Sequence, residues 1–452
     1  MKITTQIAFW SVVPVLAFLG DRCPPGKARL AFERKTVASL PQGTEARSAQ
    51  FSPNGLHIAH VVHLGDKAAV ALDGAICPLF ESVKLGSLLF RPDGAELAYL
   101  AKAGGTWHVV RGTEPGPGFD EIPEISYAPA GSALAYLGRR GEAWFAVIDG
   151  VERGPYQKAY FLTMAPAGNR VAYAATEADG VHLHVDSDVG PPYRMVSPPV
   201  FNADGSRIGY PARKGDTWTL VVDGREGGLY AIVNGPVFAP SGAVYATVQR
   251  DGNSFVIRDG QVVSDSFRSI VTDVSLNPDG TRMGFGIAES NQARMVVDGV
   301  KGNPYGMVLP ILFSGDGRHY AYAANKQGAF VLVRDGVESK LYGTTNPRSM
   351  AFTPDGSRLV YVAVFGDKEA VISNGKQLGN YNSVPVLRLA PDQKRIVYVA
   401  NTGAGPEMFV ESGHSDGVSE AWLPKSFRFE GSDHIHILAA PTGRIDLLTF
   451  KY

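Results

Sequence analysis

The chain has 452 residues, enough for two or three ordinary domains. Its 43 Lys and Arg residues nearly balance its 44 Asp and Glu residues, which removes the electrostatic argument for a nucleic-acid partner or for adsorption to an anionic membrane. Hydrophobic residues make up 44% of the chain, and the 52 Gly and 30 Pro residues exceed the usual share of turn formers. We therefore expect a folded chain that is rich in turns.

The first element in chain order is an N-terminal segment, residues 1–22, that we interpret as a secretory signal. Lys2 gives it a positive start, and a largely apolar run of 14 residues follows from Ile7 to Gly20. This run is shorter than the 20 or so residues of a membrane-spanning helix, and the small residue Ala17 suits cleavage. The sequence predicts a periplasmic or secreted protein, with an uncleaved N-terminal anchor that tethers it to the membrane as the alternative.

Only two cysteines occur, Cys23 and Cys77. An exported compartment would permit a disulfide between them. No thiol motif surrounds either residue, and the sequence leaves open whether they pair.

From about residue 45 to the end, one short phrase recurs: a large apolar residue, two further residues, then Asp, Asn, Ala or Ser, and then usually Gly. Phe90-Arg-Pro-Asp-Gly94 is a complete copy, whereas the copy at Phe429 keeps little of the phrase. The copies begin at positions 51, 90, 127, 164, 201, 238, 276, 313, 352, 389 and 429, so neighbours are 37 to 40 residues apart. A fixed period of this length indicates a repeat protein.

A second phrase follows most copies after about 20 residues and ends in Asp-Gly, as in Val296-Val-Asp-Gly299. Asp-Gly favours a type I′ hairpin turn, Pro-Asp-Gly favours a tight turn, and β-rich runs such as Thr217 to Val222 lie between them. Each period therefore predicts about four short strands. Such a sheet can bury both faces only by packing against neighbouring sheets, as the blades of a propeller do.

The fold that we predict is an all-β β-propeller of about eleven short four-stranded blades over residues 45–452. Common propellers have four to eight blades, so the array fits either one large ring or two consecutive rings. The lead-in before it, residues 23–44, offers the stretch from Arg29 to Ala38 as a strand that closes the last blade.

Three phrases carry a resemblance to a known family: Phe352-Thr-Pro-Asp-Gly356, Arg358-Leu-Val-Tyr361 and hairpins such as Val221-Val-Asp-Gly224. Together they resemble the WD-like repeats of TolB-type bacterial propellers over nearly the whole mature chain. The resemblance implies partner binding in the cell envelope, or the covering of a peptidase domain. We expect neither a TolB-like N-terminal domain nor a peptidase domain here, because the lead-in is short and the repeats run to the end.

Two histidine pairs are candidates for a metal site. In each pair two rings lie on one face of a strand and could supply two of the four ligands of a zinc site. The pairs are His182 with His184, and His434 with His436. No third ligand is evident in the sequence, so we assign no metal.

A further histidine cluster comprises His57, His60 and His63. Strand geometry turns His60 away from the other two residues, and other repeats have Tyr at its position. We interpret His60 as a packing residue.

The repeated aspartates look like a carboxylate array, but their hairpin positions explain them, and each turn offers too few oxygens for a calcium loop. A glycosidase needs two carboxylates across a pocket, and the candidates are Glu121, Glu124 and Asp273, which precede copies of the first phrase. The sequence has no nucleophile elbow, phosphate loop or dinucleotide fingerprint. We assign no catalytic or cofactor-binding residue and no cofactor.

These observations favour a non-catalytic binding or scaffold protein of the bacterial envelope or exterior, which engages a protein, peptide or glycan through propeller rim loops. The alternative is a propeller-type glycan lyase or hydrolase with its site at the channel mouth. We expect no nucleic-acid partner, and membrane contact only through an uncleaved N-terminal segment.

Overall fold

The computed structural model of the chain describes residues 28–30, 32–39, 44–339, 344–392, 394–410, 413–415, 422–430, 434–439 and 444–451. The predicted signal and Cys23 lie outside the described residues. Cys77 is half-buried, and burial raises the pKa of its thiol.

The described part of the chain consists of strands and the turns between them. Two strands precede the first repeat, β1 (Ala28–Arg29) and β2 (Phe32–Ser39). The first three repeats comprise β3 (Thr44–Phe51), β4 (Ile58–Leu64), β5 (Lys67–Leu72), β6 (Ala75–Ile76); β7 (Ser82–Val83), β8 (Leu89–Phe90), β9 (Leu97–Ala103), β10 (Thr106–Arg111), β11 (Glu114–Phe119); and β12 (Ile125–Tyr127), β13 (Leu134–Arg140), β14 (Ala143–Ile148), β15 (Val151–Tyr156). The fourth to sixth comprise β16 (Lys158–Met164), β17 (Val171–Thr176), β18 (Val181–Val185), β19 (Asp188–Val189); β20 (Met195–Val196), β21 (Val200–Phe201), β22 (Ile208–Lys214), β23 (Thr217–Val222), β24 (Arg225–Tyr230); and β25 (Ile232–Phe238), β26 (Val244–Arg250), β27 (Asn253–Arg258), β28 (Gln261–Val262).

The seventh to ninth comprise β29 (Ser269–Ile270), β30 (Ser275–Leu276), β31 (Met283–Glu289), β32 (Gln292–Val297), β33 (Val300–Lys301); β34 (Met307–Val308), β35 (Leu312–Phe313), β36 (Tyr320–Lys326), β37 (Ala329–Arg334), β38 (Val337–Glu338); and β39 (Thr344–Phe352), β40 (Leu359–Phe365), β41 (Lys368–Ser373), β42 (Lys376–Tyr381). The last two comprise β43 (Ser383–Leu389), β44 (Ile396–Thr402), β45 (Gly405–Val410), β46 (Gly413–His414); and β47 (Trp422–Glu430), β48 (His434–Ala439), β49 (Arg444–Lys451). Among the described residues, no helix could cross a membrane.

Each repeat forms one small antiparallel sheet whose strands follow each other in chain order, and the described strands make eleven sheets. The N-terminal strands join two of them: β1 pairs parallel with β46 of the tenth repeat, and β2 pairs with β49 of the eleventh. This is the predicted all-β propeller of about eleven blades, and we number the blades 1 to 11 along the chain. In several blades the first strand is split into two short pieces, as with β20 and β21 in blade 5, which both pair with β22.

The hydrophobic core lies between neighbouring blades, because each sheet buries both of its faces. In unit 2, for example, Ala172 and Leu183 of blade 4 pack in one cluster with Phe201, Tyr210 and Val221 of blade 5. The alternating pattern of β-branched and aromatic residues along the strands supplies both faces of each sheet.

The chain divides into two compact units: residues 1–125 with 381–452 form unit 1, and residues 126–380 form unit 2. Within unit 1 the N-terminal strand β2 pairs antiparallel with β49 and completes blade 11. Blade 11 also packs against blade 1, where Leu438 and Ile445 share a core cluster with Ala49 and Ile58. Unit 2 contains blades 3 to 9.

Candidate functional site

The hairpin aspartates have a structural role that is repeated from blade to blade. Asp298 and Gly299 both have positive φ, 51° and 83°, as a type I′ turn requires. Asp298 Oδ1 accepts a hydrogen bond from the backbone N–H of Met283 at 3.0 Å, and Oδ2 lies 2.8 Å from Arg282 Nε. The same backbone bond to a residue 15 positions earlier is made by Asp73, Asp149, Asp186, Asp223, Asp259, Asp335 and Asn374.

The histidine cluster of blade 1 is divided between two structural roles. His57 occupies the position of Arg282 and lies 2.7 Å, Nδ1 to Oδ2, from the hairpin carboxylate of Asp73. His60 is buried at the position of the repeat tyrosines, and burial lowers its pKa. His63 is exposed at the end of the same strand. The predicted packing role of His60 agrees with this placement.

The three carboxylates considered for glycoside cleavage are all exposed. Glu121 and Glu124 belong to unit 1, whereas Asp273 belongs to unit 2.

The second histidine pair lies on β48 in unit 1. His436 is buried and contacts the carboxylate of Glu430 through Nε2 and the hydroxyl of Thr449 through Nδ1. Burial lowers the pKa of His436. Both of its ring nitrogens therefore have protein partners.

The first histidine pair lies on β18 in blade 4, next to a hairpin turn that carries two acids. The Nδ1–H of His182 donates to the carbonyl of Gly190 at 2.8 Å, and its Nε2 lies 2.8 Å from Asp179 Oδ1. His184 Nε2 donates to Glu177 Oε1 at 2.9 Å, while its ring stacks on Tyr173 with centroids 4.8 Å apart.

Both rings of this pair are buried. Their pKa values nevertheless shift in opposite directions. Burial alone would lower the pKa of His182, but the bonds to Gly190 and Asp179, with the charge of both carboxylates, raise it overall. Burial lowers the pKa of His184 in spite of Glu177. The hydrogen bond from His182 lowers the pKa of Asp179.

The ligand atoms of Glu177, Asp179 and His182 all lie within 4.8 Å of one another. Sequence reasoning paired His182 with His184 and missed the two acids. The signal for them is the hairpin Glu177-Ala-Asp179-Gly180, which lies directly before β18 and folds back over its first residues.

One pocket lies between blades 8 and 9 of unit 2. It measures about 400 Å³ and includes Leu332, Arg334, Leu359 and Tyr361 in its lining. In earlier blades an aromatic residue after the hairpin, such as the buried Tyr305, fills the equivalent space. The corresponding residue of blade 8, Tyr342, lies outside the described residues, so we assign no ligand to this pocket.

The first strands of blades 5 to 8 carry a row of equivalent residues that is largely apolar and exposed. We call Met195, Ile232, Ser269 and Met307 the first-strand row. Each pairs with the residue one before the end of the next long strand of its blade. The side chains of Met195 and Ile232 are each 46% exposed and that of Met307 is 44% exposed.

A second set of exposed apolar side chains lies at the other edge of the blades. Val151, Val300 and Val337 directly follow Asp-Gly turns, and each begins the last strand of its blade. Their exposed fractions are 61%, 72% and 73%. We call these three residues the rim valines.

The sheets, the repeated hairpin contacts and the inter-blade core define the chain as a β-propeller repeat protein. No family model and no curated protein matches the sequence.

Solved structures that resemble the chain are propellers of several kinds. A eukaryotic initiation factor is 10% identical, covers 71% of this chain and 97% of its own, and has a TM-score of 0.42. The Dos1 propeller is 8% identical, with coverage of 62% and 88% and a TM-score of 0.34. TolB from Acinetobacter baumannii is 15% identical, with coverage of 56% and 77% and a TM-score of 0.29. TolB is thus among the similar structures, but likenesses this low carry no argument about activity.

Proposed function

We propose that this chain is a non-catalytic binding or scaffold protein of the bacterial envelope or exterior, and that its partner is a protein or peptide held on the first-strand row. The observation that carries the proposal is the exposure of Met195, Ile232 and Met307 at one register position in blades of the same unit. The N-terminal segment, interpreted as a secretory signal, supports the location.

The first-strand row is a better candidate than the rim valines because of where these strands lie in a propeller. The first strands of neighbouring blades of unit 2 contact one another, as β21 with β25 and β30 with β35 do, so side chains at one register position lie close together there. Last strands lie at the periphery, where side chains of different blades are far apart. Exposed methionines also suit a binding surface, since their flexible, polarisable side chains adapt to different partners.

The apolar character of the row favours a protein or peptide over a glycan. Because slightly less than half of each such residue is exposed, a partner that covers one gains roughly half of the about 1.5–3 kcal/mol of a full burial. Hydroxyl-rich glycans would gain more from polar or aromatic groups, and the row offers one hydroxyl, that of Ser269.

The proposal is tested by selecting peptides from a displayed library against the full protein and measuring their affinity for two triple variants. Met195→Ser with Ile232→Ser and Met307→Ser should weaken binding at least tenfold, since about 1.4 kcal/mol corresponds to a factor of ten. The matched control, Val151→Ser with Val300→Ser and Val337→Ser, should bind as the wild type does. Enrichment of no peptide, or loss of binding only in the control, would count against the proposal.

A further inference from the structure

We propose that the turn of blade 4 holds a divalent transition-metal ion, Zn²⁺ in the first instance, bound by His182 Nε2 and by the carboxylates of Glu177 and Asp179. The site would be independent of the partner-binding row and lies in the turn between β17 and β18. Nitrogen with two carboxylate oxygens is a ligand set that zinc accepts, and three protein ligands leave a fourth position for water or a partner group.

The first argument is the arrangement of the three ligand atoms around one corner. His182 carries the hydrogen on Nδ1, because the only acceptor there is the carbonyl of Gly190 at 2.8 Å. Its Nε2 faces Asp179 Oδ1 at 2.8 Å, and the ligand atoms of Glu177, Asp179 and His182 all lie within 4.8 Å of one another. The atoms that would bind the ion therefore already face one corner, where a metal ion can replace the proton shared by His182 and Asp179.

The second argument is the set of supporting contacts behind the ligands. Metal-binding histidines commonly donate their other ring N–H to a carbonyl, which fixes the ring and its tautomer. His182 does so through Gly190, and its side chain is 8% exposed. Glu177 is held in turn by the N–H of the buried His184 at 2.9 Å. The partly exposed Glu177 and the exposed Asp179 leave the corner open to ions from solvent.

The third argument comes from the same corner of other blades. In blade 7, Arg294 replaces His182: its guanidinium donates to the carbonyl of Gly302 at 2.9 Å and lies 3.8 Å from Glu289. An acid at this corner therefore has a side-chain cation beside it. In blade 4 two acids share this corner beside the smaller imidazole of His182, so a divalent metal ion would serve in place of the guanidinium.

Blade 2 provides a natural control for the structural part of this arrangement. His108 occupies the position of His182 and contacts the carbonyl of Gly116 at 2.8 Å. Its Nε2 contacts the hydroxyl of Thr106 at 3.0 Å and not an acid. The contact of the ring with the glycine carbonyl is thus a feature of the fold, whereas the two acids are what blade 4 adds.

The test is titration of the purified, EDTA-treated full protein with Zn²⁺ by calorimetry, with Co²⁺ absorption as a second readout of coordination. We expect one saturable site in the wild type and in His108→Gln. Binding should be at least tenfold weaker in Asp179→Asn and in His182→Gln. Circular dichroism of each variant verifies folding, and Asp179→Asn changes an exposed side chain that the blade core does not need.

Two results would overturn the proposal. One is the absence of saturable Zn²⁺ binding by the wild type. The other is equal binding by the wild type and both site variants, which would place the ion elsewhere, for example at His436. Either result leaves the peptide-binding proposal untouched, because the first-strand row contains none of these ligands.

Discussion

At the scale of single residues, one carboxylate per hairpin performs two tasks. Asp298 lies at positive φ in the turn, accepts the backbone N–H of Met283 and pairs with Arg282. Turn propensity alone would explain Asn or Gly equally well. The pairing explains why most blades keep a charged acid at this position. In blade 9, Asn374 keeps the backbone contact to Leu359, accepts from Arg334 Nη1 at 2.9 Å and donates to the carbonyl of Ser357 at 3.0 Å.

Removing this carboxylate should destabilise the protein. Asp298→Ala leaves the N–H of Met283 without its acceptor and places a side chain with no hydrogen-bonding group at φ 51°. We expect a loss of about 1–3 kcal/mol, measured as a lower midpoint of urea unfolding. Asp298→Asn keeps the acceptor and should lose less than about 1 kcal/mol, the worth of an exposed ion pair.

The control for this pair is Asp273→Ala, because Asp273 is an exposed carboxylate in the same blade. It should change stability by no more than about 0.5 kcal/mol. An Asp298→Ala variant as stable as this control would contradict the role assigned to the hairpin carboxylate.

At the scale of the elements, arginines of the repeat join neighbouring blades. Arg282 pairs with Asp298 in its own blade, and its Nη1 donates to the carbonyl of Arg318 in blade 8 at 2.7 Å. Its guanidinium also lies over the ring of Phe313, 5.6 Å from the centroid. Arg170 makes the equivalent contacts from blade 4 to blade 5.

The contacts of Arg282 with Asp298 in its own blade and with blade 8 require the planar, forked guanidinium of arginine, because one side chain must reach a carboxylate, a carbonyl and a ring at once. Arg282→Lys keeps the charge but can reach only part of the set. We expect it to lose about 1–2 kcal/mol in urea unfolding. Arg268→Lys, a change at an exposed arginine of unit 2, should unfold as the wild type does, and equal midpoints for both variants would refute this role of Arg282.

The sequence predicted what depends on local spacing and missed what depends on contacts between repeats. The period of the repeat and the Asp-Gly turns were enough to predict the number and size of the blades. The reach of Arg282 into blade 8 joins residues 36 positions apart, and no local pattern encodes it. The acids beside His182 were missed because alternation along one strand was considered without the turn that folds over it. The first-strand row could be recognised only from the pairing register of the strands, which the sequence alone does not give.

At the scale of the whole molecule, a strand from the N-terminus completes the last sheet. β2 pairs with β49, and Phe32 packs on Phe450 with ring centroids 5.2 Å apart. Thr36 Oγ1 donates to Asp446 at 2.8 Å and Arg34 pairs with the same carboxylate at 3.0 Å. Asp446 is fully buried, so this closure holds a charge that water does not reach.

Breaking these contacts should loosen the closure. Arg34→Ala with Thr36→Val leaves Asp446 with Arg444 as its remaining described partner, and a buried charge that loses partners is costly. We expect a loss of about 2–3 kcal/mol in urea unfolding. Glu33→Gln with Lys35→Gln changes exposed residues of the same strand and should be neutral, whereas equal losses in both double variants would show that Asp446 does not anchor β2.

The central claim is that polar residues of the repeat build the blades while the first-strand row binds a partner. Hydrogen–deuterium exchange of the full protein, free and with a selected peptide, tests it most directly. We predict protection in the segments that carry Met195, Ile232 and Met307. Protection confined to the segments of the rim valines would contradict the claim and place the partner on the blade periphery.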